Sequence, residues 1–403
     1  MTKALVMKTP EMTGDEAGAV APSVVAPSSF VLVGVGETVV ANGCRPIPAA
    51  AGASLARQVS EALVGAAALV GALPYERARP AHLLRPTEWS RLPGRFTARA
   101  FGPPVLLRGG DTPHWQVTAE PSLAAYRTSV AEVLRRMENR PELRKVVLSR
   151  ALRLSGDRPI DPRALLSRLA EDPAATAFSV PLPSTDGATR LLVGATPELL
   201  VSRRGEAMFS HPLAGSARRS SDPARDREAA ENLAASTKDS REHREVVTAI
   251  LDLLAPYCRE LSTPEGTQLV STASMWHLGT RIVGRLRDTT LSSLELAALL
   301  HPTPAVCGTP RDAAAELIAE LEGHDRGFYA GAVGWCDAAG DGDWHVALRC
   351  AEISGGEAWL HAGAGIVPGS DPVAEGEETA AKFAAMLRAL GLDEAIAFEG
   401  AAA

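Results

Sequence analysis

The chain has 403 residues and a formal net charge of −7. This length can bury a large core, in one big domain or in two smaller ones. The acidic balance argues against binding to nucleic acid or to an anionic membrane surface, and no apolar run reaches the roughly 18–20 residues that span a bilayer. The five cysteines are scattered with no CxxC pair, which favours reduced thiols in a cytoplasm over disulfides or a zinc site.

The predicted elements come in blocks. Residues 1–28 are rich in Ala, Pro, Ser and Thr with little periodicity, and we expect a disordered leader there. Helical patterns cover roughly 52–71, 122–140, most of 222–258, 311–323 and 371–391. Strand patterns cover 143–154, 177–183, 190–196, 198–213, 280–288 and 331–367. The last range predicts a meander of three strands joined by Gly and Asp turns. Blocks of strands and helices, rather than strict alternation, favour an α+β fold with large antiparallel sheets.

Acidic residues repeat at helical spacing in two of these helices. Asp239 and Glu242 are three residues apart and share one helix face. Glu375, Glu378 and Lys382 share a face of the last helix in the same way. Carboxylates that face each other from two helices make an oxygen site of the kind that Mg²⁺ prefers. Acidic helix faces are more often simply solvated, so this pattern by itself favours a surface helix.

Two glycine-rich turns, PLAGSARR (212–219) and HAGAGIVPGS (361–370), come where strands end. Small residues there let backbone N–H groups approach a carboxylate closely, although an ordinary tight turn is the more frequent explanation. Arg349 lies in the middle of a predicted strand, where a buried guanidinium could bind a carboxylate as a fork. Lys145 also lies on a strand. A buried lysine could act as a base there, whereas most strand lysines are exposed at an edge.

Nine motifs then occur in a fixed order: KVVLSR, VGATPELLV, SHPLAGSARR, DSREH, HPTPAVCGTP, GAVGW, ALRCAEI, HAGAGIV and DPVAEGEETAAK. The same motifs occur in the same order in the chorismate-utilising enzymes, which the chain resembles. The resemblance is strong over about residues 120–392 and only loose in the residues before 120. That family includes isochorismate synthases, salicylate synthases and the chorismate-binding components of anthranilate and aminodeoxychorismate synthases. The chain is most similar to the stand-alone isochorismate synthases of catechol siderophore pathways.

The resemblance implies a role for thirteen residues. It implies that Lys145 is the general base and Glu198 the general acid. The implied magnesium ligands are Glu242 and Glu378, with Asp239 and Glu375 acting through water. The implied substrate-binding residues are Gly215, Ser216, Ala305, Tyr329, Arg349, Gly363 and Lys382. Among them, Arg349 is implied to bind the enolpyruvyl carboxylate.

The implied fold is a single domain over residues 29–395, with two large antiparallel sheets stacked face to face, helices outside and the site in a cleft. The implied activity is Mg²⁺-dependent isomerisation of chorismate to isochorismate, by attack of water at C2 and loss of the C4 hydroxyl. This exchange needs no redox cofactor. We expect a cytoplasmic monomer without an obligatory partner subunit.

Residue 305 separates members of this family. The ammonia-using enzymes and the salicylate synthases generally carry threonine there, whereas alanine, as in Ala305, is typical of isochorismate synthases. Three alternatives stay open: a salicylate synthase that also eliminates pyruvate, an ammonia-using aminochorismate or anthranilate synthase component, and a non-catalytic binding module. His361 departs from the family pattern, which has an aromatic or apolar residue before AGAGIV. It either lines the enolpyruvyl side of the site or only packs there, and packing is the prediction.

Overall fold

A computed structural model describes residues 26, 28–47, 62–95, 113–184 and 187–393. Apart from residues 26 and 28, the predicted leader at 1–28 lies outside this part of the chain, as do residues 394–395 of the predicted domain. The described residues form one α+β domain, and every strand pairing in it is antiparallel. The predicted fold class is confirmed.

The strands, numbered in chain order, form two large sheets and a small one. The first sheet contains β1 (Phe30–Val33), β2 (Glu37–Asn42), β6 (Glu88–Pro93), β7 (Trp115–Glu120), β8 (Lys145–Gly156), β9 (Thr176–Leu182), β10 (Arg190–Thr196), β18 (Gly308–Thr309), β21 (Cys350–Ser354) and β22 (Glu357–Ile366). The second contains β3 (Arg45–Pro46), β4 (Ala68–Leu73), β5 (His82–Arg85), β11 (Leu199–Arg204), β12 (Ala207–His211), β14 (Cys258–Ser262), β17 (Ile282–Leu286), β19 (Ala332–Asp337) and β20 (Gly342–Val346). The third contains β13 (Leu213–Arg218), β15 (Thr267–Ser271) and β16 (Met275–Thr280).

Six of the seven α-helices of the described residues begin at a side-chain cap that their sequences supply. They are α1 (Leu123–Asn139), α2 (Pro162–Leu169), α3 (Pro223–Ala235), α4 (Thr237–Leu254), α5 (Ser293–Leu300), α6 (Arg311–Leu321) and α7 (Pro372–Leu390), with a 3₁₀ turn at Ala255–Tyr257. Ser122 caps α1 and Asp371 caps α7, because each side chain accepts a hydrogen bond from a backbone N–H of the first turn. Helix α4 packs on β13, and α7 packs on β22 and α1.

Two hydrophobic cores hold the layers together. The larger one lies between the two big sheets, where Phe178 of the first sheet and Trp335 and Trp344 of the second are fully buried. The smaller one lies between the first sheet and helices α2 and α7, with Leu166 and Phe383 among its members. Burial of a large apolar side chain stabilises a fold by about 1.5–3 kcal/mol. The two cores therefore fix both helices and both sheets around the cleft between them.

The structure corrects two strand assignments and one helix. The predicted meander at 331–367 is four strands rather than three, and β19 and β20 belong to one big sheet while β21 and β22 belong to the other. Arg349 is not in mid-strand: it lies at the crossing between the sheets with φ of +45°. The helix predicted over 52–71 is wrong from residue 64 onward: residues 64–67 form a turn, and residues 68–71 belong to β4, a fully buried strand between β19 and β5.

No helix in the described ranges is long and apolar enough to cross a membrane. All five cysteines lie in those ranges as free thiols, and four of them are buried. The free state of these cysteines agrees with the prediction from their spacing.

Candidate active site

One cavity collects most of the residues that the sequence singles out. It is enclosed by the first sheet, the small sheet, helices α4 and α7 and loops that flank the second sheet, and it holds about 660 Å³ of space, the open solvent at its mouth included. The predicted residues that line it are Glu198, Gly215, Ser216, Ala305, Tyr329, Glu242, Arg349, Gly363, Glu378 and Lys382. Three others, Lys145, Asp239 and Glu375, lie behind the wall.

Lys145 and Glu242 form a buried ion pair at one side of the cavity. Lys145 is the first residue of β8 and is fully buried, contrary to the exposed position usual for strand lysines. Its Nζ lies 2.9 Å from Oε1 of Glu242 on α4. Gly365 of β22 makes room for this pair, because a Cβ atom at that position would clash with Oε1 of Glu242. The turns predicted at 361–370 and 212–219 are thus wrong for residues 361–366, which belong to β22, and for residues 213–218, which belong to β13. The glycine at 365 instead meets a packing requirement.

Helix α7 supplies a second carboxylate–lysine pair. Nζ of Lys382 donates to Oε1 of Glu378 at 2.5 Å and to the carbonyl oxygen of Gly363 at 2.9 Å. The hydroxyl of Ser216 donates to the same carboxylate oxygen at 2.9 Å. Burial opposes ionisation of Glu378, but the Lys382 ammonium and these hydrogen bonds hold its pKa below the ordinary value. Glu378 is therefore an ionised acceptor inside the cavity.

Two further carboxylates lie behind this wall. Nζ of Lys238 donates to Oε1 of Glu375 at 2.7 Å, and the Ser236 hydroxyl donates to Asp239. Burial raises the pKa of both carboxyls, and the charge of Glu378 adds to the effect at each. Oε2 of Glu375 is buried without a hydrogen-bond partner. These oxygens are hard donors that would suit Mg²⁺.

The carboxylates do not, however, converge on a point. Within the described residues no three Asp, Glu, His or Cys side chains are placed to hold a metal ion directly. The reason is that three of the four carboxylates are each drawn to a different lysine. The structure thus brings the predicted metal residues to one region, and their binding of Mg²⁺ stays a prediction.

Glu198 occupies a different part of the wall, in the turn between β10 and β11. Its side chain is only 3 % exposed, and burial raises its pKa to about 7. The positive charges of Arg349 and Lys145 and hydrogen bonding from the backbone of Leu213 oppose that rise in part. A carboxyl with this pKa can hold a proton near neutral pH and release it to a bound molecule, which is the property of a general acid.

Arg349 reaches the cavity from the crossing between the sheets. Its Nη2 lies 3.2 Å from Nε2 of His277 on β16, and burial lowers the pKa of both side chains. The histidine is therefore a neutral partner that orients the guanidinium without cancelling its charge. The sequence patterns did not identify His277, since its only signal is a polar residue inside the apolar strand MWHLG.

The last part of the wall is aromatic. Tyr329 lies just before β19, and its ring stacks on that of His361 of β22, with the centroids 5.0 Å apart. Both residues line the cavity, together with Ala305 from the loop between α5 and β18. His361 therefore faces the cavity in addition to packing against the site.

Comparisons with known proteins identify relatives of this chain. A model of the chorismate binding enzyme family matches residues 109–391. "Isochorismate synthase DhbC" of Bacillus subtilis is 42% identical over 384 residues, which cover 91% of this chain and 94% of that protein. "Putative isochorismate synthase MenF" of Mycobacterium tuberculosis is 45% identical over 81% of this chain and 87% of that protein.

The fold has a solved counterpart. The crystal structure of a putative 2,3-dihydroxybenzoate-specific isochorismate synthase, DhbC, from Bacillus anthracis has a TM-score of 0.84 and 38% sequence identity to this chain. The match covers 91% of this chain and 97% of that one. The two stacked sheets are thus a known architecture.

We predict that Glu198→Gln changes stability in a pH-dependent way. The folded-state pKa of about 7 lies above the ordinary value of 4.5, so the folded protein binds the extra proton. Below pH 4.5 the carboxyl is protonated in both states, and its burial does not lower the free energy of unfolding. Above pH 7 the buried group is ionised, and the whole loss of unfolding free energy is present. Relative to the wild type, the variant should gain up to about 3 kcal/mol of unfolding free energy between pH 4.5 and pH 8.

Urea denaturation at the two pH values measures this difference. Glu228→Gln, at an exposed position of α3, is the control and should show none. If the variant and the wild type differ in unfolding free energy by the same amount at both pH values, Glu198 has the same pKa in the folded and the unfolded chain. That result would contradict the prediction.

Proposed function

The chain belongs to the chorismate-binding enzyme family, and we propose that it is an isochorismate synthase, an isomerase that converts chorismate to isochorismate. One observation carries the proposal. A single cavity has on one part of its wall Glu198, whose pKa is raised to about 7, and on another Glu242, whose ion-pair partner Lys145 lies directly behind it. Exchange of a hydroxyl between two carbons of a ring needs an acid and a base at different places.

The cavity matches the charges of the substrate. Chorismate carries a ring carboxylate, an enolpyruvyl carboxylate and a C4 hydroxyl. We assign Arg349 to the enolpyruvyl carboxylate, because a guanidinium with a neutral partner keeps its charge and its forked donors for a ligand. The backbone at Gly215, Ser216 and Gly363 lines the same cavity and can approach a carboxylate closely. Lys382 adds a positive charge next to Gly363.

The reaction then uses Lys145 as the base and Glu198 as the acid. Deprotonated Lys145 takes a proton from a water molecule as the water oxygen bonds to C2, while the C1–C2 double bond moves to C1–C6 and the C5–C6 double bond moves to C4–C5. The C4–O bond breaks, and Glu198 gives its proton to the departing hydroxyl, which leaves as water. Atoms balance, because one water is consumed and one is released. Lys145 must part from Glu242 and lose its proton before it can serve as the base, and the next turnover needs Glu198 to be protonated again.

We propose Mg²⁺ as the cofactor. The supporting features are the oxygen donors of Glu242 and Glu378 at the cavity, with Asp239 and Glu375 behind them, and the unpartnered buried oxygen of Glu375. When bound, Mg²⁺ would neutralise the ring carboxylate and the charge that develops as the diene shifts. The role of the chain is to hold these carboxylates ionised and in place, as Lys382 and Ser216 do for Glu378.

Ala305 favours isochorismate as the final product. It lines the cavity with a methyl group, where a threonine hydroxyl could position ammonia or favour elimination. An apolar wall offers neither contact. We further propose that the enzyme acts in the cytoplasm, which the free thiols support, and that it acts as a monomer.

The metal proposal predicts that Glu378→Gln and Glu242→Gln abolish turnover, because each removes a charged oxygen ligand. EDTA should abolish activity too, and added Mg²⁺ should restore it. Isothermal calorimetry should detect Mg²⁺ binding to the wild type and a large loss of affinity in both variants.

Glu377→Gln is the matched control, since Glu377 is the exposed neighbour of Glu378 on the same helix. It should keep both activity and Mg²⁺ binding. Undiminished activity in excess EDTA would rule out the magnesium role.

The acid–base assignment predicts that Lys145→Ala and Glu198→Gln each lose roughly 10²–10⁴-fold in kcat, while circular dichroism shows a folded protein. Arg144→Ala is the control for the first variant, because Arg144 precedes Lys145 but makes only an exposed ion pair with Glu245. It should keep its activity. Near-normal turnover by folded Lys145→Ala would mean that another group is the base.

The assignment of the product predicts that purified enzyme, given chorismate and Mg²⁺, forms isochorismate with no fluorescent salicylate and no pyruvate. Ammonium should yield no anthranilate. Liquid chromatography with fluorescence detection, together with a lactate dehydrogenase assay for pyruvate, measures all of these. Release of pyruvate in step with chorismate consumption near neutral pH would instead identify a lyase of the salicylate synthase type.

A further inference from the structure

His361 is placed at the cavity by aromatic contacts on two sides. Its ring stacks on that of Tyr329 with an interplanar angle of 14°, and His324 packs against it with the centroids 5.5 Å apart. A phenyl ring would fill this place equally well, as far as packing is concerned. Packing alone therefore does not explain why position 361 carries an imidazole.

The two histidines differ in their hydrogen bonds. His324 is satisfied, because its Nδ1 contacts the carbonyl oxygen of Glu322 and its Nε2 contacts the hydroxyl of Ser149, each at 3.1 Å. His361 makes no hydrogen bond to any described residue, and its Nδ1 is buried. A neutral imidazole carries one donor and one acceptor, and buried polar groups normally have partners. Since His361 lines the cavity, a bound molecule can provide the hydrogen-bond partner that the chain does not.

The electrostatic surroundings keep this ring neutral. Burial lowers the pKa of His361 to about 3, and the neighbouring His324 and Arg326 contribute to the shift. The ring therefore does not act as a proton donor in acid–base chemistry at neutral pH. It remains able to donate one hydrogen bond and to accept one.

We propose that His361 is a substrate-positioning residue, which hydrogen-bonds an oxygen of the enolpyruvyl group from the wall that it shares with Tyr329 and Arg349. This inference rests on the proposed function, since the enolpyruvyl group belongs to chorismate. Such a bond is present both in the substrate complex and in the transition state. Its loss should therefore raise KM and leave kcat nearly unchanged.

The test compares variants that keep the ring and variants that keep the polar atoms. His361→Phe keeps the stack on Tyr329 and removes both nitrogens. His361→Asn and His361→Gln place a polar amide near the former Nδ1 and Nε2 positions, respectively. His114→Phe, at an exposed position before β7, is the control. Calorimetric titration with chorismate in the presence of Mg²⁺ gives Kd, and steady-state kinetics give KM and kcat.

For His361→Phe we expect Kd and KM to rise about tenfold, as for the loss of one hydrogen bond to a ligand, with kcat within about threefold of wild type. One of the two amide variants should recover most of the affinity, and His114→Phe should match the wild type. Wild-type Kd and KM in His361→Phe would overturn the inference and leave His361 as a packing residue. If His361→Phe fails to fold, His361→Leu takes its place in the same comparison.

The binding measurement separates this inference from the proposed function. A wild type that binds chorismate without forming isochorismate would defeat the proposed function, while the Kd of His361→Phe would still decide the role of His361. A wild type that does not bind chorismate would defeat both.

Discussion

Charge balance inside a buried region is the constraint on which this site depends. Helices α4 and α7 bring four carboxylates to one side of the cavity, and an unpaired buried carboxylate costs several kcal/mol. Three lysines from different places in the chain reduce that cost: Lys145 at the start of β8, Lys238 in the first turn of α4 and Lys382 one turn after Glu378. Lys145 joins β8 to α4 and Lys238 joins α4 to α7, so the relative positions of these three elements are linked to the electrostatics of the site.

The same cavity separates two carboxyls by their surroundings. Burial raises the pKa of Glu198, which has no lysine in contact, whereas Lys382 and Ser216 hold the pKa of Glu378 low. Two residues of one chemical type thus differ in charge near neutral pH, and such a difference is how acid and anion roles are divided in many active sites.

Much of this could be predicted from the sequence. Helical spacing placed Glu375, Glu378 and Lys382 on one face, and the order of motifs indicated which other residues join them. Spacing could not identify His277 as the partner of Arg349, because the two are 72 residues apart and meet only in the folded chain. The sequence pattern also could not divide the strands of 331–367 between two sheets. Turn residues show where the chain reverses direction, but not which sheet the next strand joins.

The proposed reaction requires that the new hydroxyl at C2 comes from water and not from C4. The most direct test is an initial-rate reaction in H₂¹⁸O with Mg²⁺, followed by mass spectrometry of isochorismate before the reverse reaction becomes significant. We expect one ¹⁸O atom in each isochorismate, at C2. Isochorismate without the label would mean that the C4 hydroxyl migrates within the bound molecule, and it would contradict the division of roles between Lys145 and Glu198.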